Sequence, residues 1–152
     1  MNPKALSEQQ LNALNELVNR STLRQVPIDL IKASRFINRA EEALKELPTI
    51  RTKSIRHSIA YDCAHDVAEA LLAAYGFATT TGVGQHASLG EVLIILCSET
   101  NGQGVAELFD QVRRDRNQNR YKSFPVGQVQ VDSAMNCANI LLEEAKVILQ
   151  TS

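Results

Sequence analysis

Between Asp110 and Lys122 the sequence gathers five basic side chains, Arg113, Arg114, Arg116, Arg120 and Lys122, against two acidic ones, Asp110 and Asp115. The local balance is therefore +3 in a chain whose formal net charge is −1. Arginine presents a planar fork of donors matched to phosphate oxygens, so a concentration of this kind can grip a phosphate backbone. The plain alternative is a solvated helix face laced with ion pairs. A second basic cluster, Arg51, Lys53, Arg56 and His57, opens a long helical pattern, where uncapped backbone N–H groups also favour anions. The two segments would have to meet in the fold to act together.

Other residue types offer weaker chemistry. Asp62, His65, Asp66 and Glu69 stand at i, i+3, i+4 and i+7, a spacing that can hold a metal if a second helix completes the set, or a histidine held by neighbouring carboxylates if none does. Cys63, Cys97 and Cys137 fall in apolar helical rows with no C-x-x-C pair, which points to core packing over nucleophilic chemistry or a zinc site. His86 precedes a helix and is as suited to bonding backbone groups as to chemistry. Thr81-Gly82-Val83-Gly84 and Gly102-Gln103-Gly104 follow helical patterns and lack a Gly-Lys-Ser/Thr, so turn chemistry accounts for them.

The elements that must position these residues are helical. Ser7 and Gln10 form a capping box ahead of Leu11, Leu14, Leu17 and Val18, predicting a first helix to Asn19. Leu30, Ile37 and Leu44, with Ala33, Ala40 and Leu47, predict a second over 28–47, stopped by Pro48. From Lys53 to Tyr75 apolar positions step by four, and Gly76 is placed as a stop. A loop is expected to follow Thr79. Ser88 and Glu91 suggest a capped start to a fourth helix, ended by Asn101-Gly102. Val105 to Val112 predict a short fifth helix running into the basic stretch and breaking before Pro125. A last helix starts near Gln128, with an apolar row from Val131 to Leu149. No strand pattern is visible.

These readings describe an all-α chain, a single helical domain over residues 1–152 folded as an up-down antiparallel bundle. With 152 residues and 44% hydrophobic composition the chain can close one core. The longest apolar run, Val92 to Cys97, is too short for a membrane, so no membrane partner is expected. The absence of a basic and apolar leader, together with unpaired cysteines, predicts a cytoplasmic protein.

The run Ala60-Tyr61-Asp62-Cys63-Ala64-His65-Asp66-Val67-Ala68-Glu69, with Gly76, Gly84-Gln85-His86, and Arg116-Asn117 and Tyr121 before a last long helix, resembles the HEPN domains of prokaryotes over about residues 28–150. The resemblance rests on the order of these elements. It implies a four-helix up-down core with an extra N-terminal helix, dimerisation, and action on RNA or nucleotides, often as the toxin of a toxin–antitoxin or defence pair. It implies no cofactor. Active members carry a histidine four to six residues after the arginine, where this chain has Tyr121. By that resemblance the candidate catalytic set is Arg116, Asn117 and Tyr121, with Arg113, Arg114, Arg120, Lys122 and Arg56 holding phosphates. The chemistry would be metal-independent cleavage of RNA, which needs a base for the ribose 2′-hydroxyl and a cation for the phosphate; Arg116 suits the second task, whereas a phenol is a poor base at neutral pH. Arg51 and His57 also satisfy an Arg-x5-His spacing, at a place where the family does not put its motif. The expected partners are RNA or a nucleotide, a second copy of the chain, and a cognate antitoxin or nucleotidyltransferase. The alternative is a catalytically silent interaction module, engaging a protein through a helical face or the segment at 78–85.

Overall fold

Around one long alanine-rich helix, α3 (Lys53–Tyr75), the remaining elements assemble in the order α1 (Glu8–Asn19), β1 (Leu23–Gln25), α2 (Leu30–Glu46), a 3₁₀ turn (Leu47–Thr49), α3, β2 (Phe77–Thr79), α4 (Gln85–Leu96), α5 (Gly102–Lys122) and α6 (Gln128–Leu149). This computed structural model describes residues 1–80, 85–99 and 102–151, and for 85–87 the backbone alone. The all-α expectation holds. Ala60, Ala64, Ala68 and Ala70 are buried and let neighbouring helices approach α3 closely, which is how one helix can pack against α2, α5 and α6 at once. No described helix is long and apolar enough to cross a membrane.

Contacts fix the directions. Asp29 at the start of α2 bonds Ala73 near the end of α3, and Arg39 reaches Asp66, so these two run antiparallel. Arg56 meets Met135 near the starts of α3 and α6, while Tyr75 and Ile148 line one pocket near their ends, so this pair runs parallel. Helix α5 descends between them, with Arg116 beside Tyr61 and Arg120 beside Ser54. Thus α2, α3, α5 and α6 alternate in direction, and α1 and α4 pack on one another outside this core.

Several local expectations are met. Ser7 accepts from the Gln10 N–H at 3.1 Å and the Gln10 side chain accepts from the Ser7 N–H at 2.9 Å, completing the capping box. Gly76 ends α3 at φ +80, a left-handed conformation that strains any residue with a Cβ.

Others are corrected. A short ribbon exists, β1 pairing antiparallel with β2 through Leu23↔Thr79 and Gln25↔Phe77. It was invisible because its strands are three residues each and lie far apart in sequence, leaving no hairpin turn to read. Helix α4 begins at Gln85, upstream of Ser88, so Ser88 lies inside the helix; the helix ends at Leu96, and Gly102 opens the next one. Helix α5 is 21 residues long and includes the whole basic stretch, expected to break. Its last turns contain no proline, glycine or β-branched residue, and i, i+3 and i, i+4 contacts such as Gln111 to Asp115 at 2.9 Å support them. The break is confined to residues 123–127, where Ser123 adopts φ +55.

The length of the α6 apolar row suggests more surface than a single bundle need cover. The bundle covers it nonetheless: Val131, Ala134, Ala138, Leu141, Leu142, Ala145, Ile148 and Leu149 are all buried within the chain.

Candidate functional site

Helix α5 carries a core stripe that changes character along its length. Val105, Phe109 and Val112 are buried, and the same face continues through Arg113, Arg116 and Arg120, so the last two turns aim cations where the first turns aim apolar groups. Opposite them lie the first turns of α3. The Arg116 guanidinium sits 4.9 Å from the centroid of the Tyr61 ring, a cation–π contact, and its Nε is buried with no hydrogen-bond partner. Tyr61 is itself 1% exposed and packs on Phe109 at 5.7 Å between centroids; burial pushes its phenol up to about 12 despite the nearby charge of Arg116.

Arg116 and Arg120 share with Ser54, His57 and Ser58 a pocket of about 300 Å³. Of the second basic segment, His57 is the member that reaches this pocket. His57 is 1% exposed and its Nε2 has no hydrogen-bond partner. Its pKa is lowered by burial; Asp115 pulls it upward and Arg116 adds to the lowering. The imidazole is neutral at pH 7. Thr52 makes no side-chain cap to α3, and the first turn of that helix contains no acidic residue, so the helix end keeps its affinity for anions. Asn119 also borders the pocket, but its amide nitrogen is committed to the Phe124 carbonyl at 2.8 Å.

The basic residues divide into engaged and uncommitted. Arg113 and Arg114 both pair with Asp110, at 2.7 and 3.0 Å, so neither is a free phosphate ligand. Arg56 turns toward α6, 3.4 Å from the Met135 sulfur, and does not line the pocket. Lys122 and Tyr121 are exposed, Tyr121 by 73%, with the Arg120 guanidinium 5.9 Å from its ring. Five residues along a helix turn the direction by about 140°, so Tyr121 and Arg116 face different ways and the chain alone does not bring them together. Asn117 is half-buried on the Tyr121 side. Arg116 and Arg120 remain the two arginines of this stretch with no carboxylate partner within ion-pair distance among the described residues.

On the far side of Tyr61 the Asp62, His65, Asp66 and Glu69 group resolves as an ion-pair network. Arg39 holds Asp66 through two bonds, Nε to Oδ2 at 2.6 Å and Nη2 to Oδ1 at 2.5 Å. His65 Nε2 lies 3.9 Å from Glu69. No group of three or more metal-ligating side chains is found among the described residues, so the metal reading is withdrawn. The Asp62 carboxyl is held above its ordinary range by partial enclosure, with Arg116 opposing. Cys63, Cys97 and Cys137 are buried and form no disulfide with one another, as expected of core thiols. The His86 side chain and Thr81 to Gly84 fall outside the described residues.

His57 is the residue that sequence reasoning undervalued. Its spacing from Arg51 drew notice, yet the relationship that matters joins it to Arg116, 59 positions away, which no local pattern encodes. No family model matches the chain, and no curated protein or solved structure is significantly similar to it.

Proposed function

We propose that the chain binds RNA or nucleotides through the face that α3 and α5 build together, acting as a HEPN-like dimer. The observation that supports this reading best is the convergence of Arg116 and Arg120, neither engaged by a carboxylate, on the uncapped start of α3. Charge of this kind, held in place by a cation–π contact and in no direct ion pair, is matched to phosphate. Binding is better supported than cleavage. A metal-independent endoribonuclease of the toxin type needs a base beside Arg116, and Tyr121 points elsewhere within one chain, so cleavage would require the second copy to supply one. Ile55, Tyr121, Phe124 and Val129 are exposed apolar residues at the end of the bundle where α3 and α6 begin and α5 stops, the surface a second copy would cover.

The test is gel shift and cleavage of a mixed RNA pool in EDTA, comparing wild type with Arg116→Ala and Tyr121→Phe, beside sedimentation of the protein alone. A shift at low salt that weakens in Arg116→Ala is expected. Cleavage in EDTA lost in Arg116→Ala would add the ribonuclease activity, and its loss in Tyr121→Phe would give the phenol a chemical role. RNA neither cut nor shifted would end the nucleic-acid reading. The catalytically silent interaction module, an antitoxin or regulatory partner, would then stand; it is favoured by the separation of Arg116 from Tyr121.

A further inference from the structure

The pocket between α3 and α5 has the dimensions and chemistry of an end-binding site, which an open basic face does not. At about 300 Å³ it falls at the small end of ligand sites, large enough for a phosphate and part of its sugar. Among its lining residues is His57, 1% exposed, with a ring nitrogen that no protein atom satisfies. A buried polar atom in this state costs free energy that a ligand oxygen would recover. Arg116 and Arg120 line the pocket together with Ser54 and Ser58, which stand one helical turn apart on the same face of α3.

We infer that this pocket takes a phosphomonoester dianion, the 5′-phosphate of an RNA end or of a nucleoside monophosphate. The inference rests on the RNA or nucleotide reading and narrows it. A monoester carries three terminal oxygens and close to two negative charges at neutral pH, which suits two uncommitted guanidiniums, two hydroxyls and a neutral imidazole donor. An internal phosphodiester has one charge and two free oxygens, so it would engage fewer of these donors. Asp62 acts on both arginines and Asp115 on His57, and both lie outside the pocket lining, so they temper the field without blocking the site.

The experiment compares one single-stranded oligoribonucleotide carrying a 5′-phosphate with the same oligonucleotide carrying a 5′-hydroxyl, by fluorescence anisotropy on the full chain. Titrations with AMP and with adenosine run beside it. Binding at least tenfold tighter to the phosphorylated end is expected, with AMP bound and adenosine not. Ser54→Asp is the decisive variant, because an acidic residue in the first turn of α3 favours the helix while placing a carboxylate in the pocket. It should keep its helical circular dichroism and lose both the AMP binding and the end preference. Arg120→Ala should weaken both by tenfold or more. Equal affinity for the two oligonucleotides with no AMP binding overturns the inference and leaves general RNA binding in place. AMP binding abolished by Ser54→Asp, with neither oligonucleotide bound, upholds the pocket and overturns the RNA reading. AMP binding that persists in Ser54→Asp places the ligand elsewhere and also overturns the inference.

Discussion

Replacing Gly76 with alanine should be among the more damaging single-methyl changes this fold can suffer. The residue holds φ +80, where an L side chain costs about 1–2 kcal/mol. An added Cβ would also stand 2.8 Å from the Val26 carbonyl oxygen and 3.1 Å from Ile28 Cγ1. That carbonyl cannot retreat freely, because the Val26 N–H donates to the Gly76 carbonyl at 2.9 Å, and straining this bond adds about 1 kcal/mol. The sum is about 2–3 kcal/mol. For a chain of this size it corresponds to a melting temperature lowered by about 5–10 °C. Thermal unfolding followed by far-ultraviolet circular dichroism measures it, with urea titration confirming an unchanged slope. Gly76→Asn separates the two causes, since asparagine tolerates the left-handed region but keeps the Cβ. It should fall between wild type and alanine. An alanine variant within about 2 °C of wild type would refute the reasoning, and an asparagine variant equal to wild type would remove the Val26 contact from it.

His57 makes stability depend on acid. Its pKa is lowered in the fold by burial, with Arg116 contributing and Asp115 opposing, so below about pH 6.5 the unfolded chain binds a proton that the folded chain resists, and stability should fall as pH drops toward the folded value. His57→Gln should flatten that limb, whereas the raised carboxyls of Asp62 and Glu69 act at lower pH with the opposite sign. The three cysteines, each pushed up to about 12 by burial, should resist a thiol reagent in the native protein and all react in denaturant. Breaking the Arg39–Asp66 pair by Arg39→Ala strands a carboxylate that is 11% exposed, and should cost about 1–3 kcal/mol in urea denaturation; the double change to alanine at both positions should cost less than the sum of the two singles. Arg113→Ala and Arg114→Ala should leave RNA binding nearly intact, unlike Arg116→Ala, because Asp110 already engages both; equal losses for all three would mean that the ion pairs open on binding.

What could be read from the chain followed the range of each interaction. Helix α3 was legible because its periodicity, its Gly76 stop and the Pro48 before it are all local, and the Ser7–Gln10 cap spans one turn. The pairing of Asp110 with Arg113 and Arg114 is equally local, at spacings of three and four, and bears out for these two arginines the ion-pair alternative. The ribbon joining Leu23–Gln25 to Phe77–Thr79 was beyond reach, since each strand is meaningless without the other. The same holds for the pocket. Arg116 and His57 belong to helices whose packing is decided by the apolar rows of α3, α5 and α6, and only that packing brings the two residues into one site.

The central position of α3 also has a cost in time. Helix α2 is made just before it and can pack at once, but α6, its other principal neighbour, is completed roughly seventy residues after Tyr75 leaves the ribosome. At about 5–20 residues per second this leaves one side of α3 uncovered for about 4–15 s. An alanine-rich flank presents little sticky surface during that interval, so the small residues that permit close packing in the finished fold also guard the nascent one. Enlarging them, for instance by Ala68→Leu, would therefore burden synthesis twice, through overpacking at the end and through chaperone demand on the way.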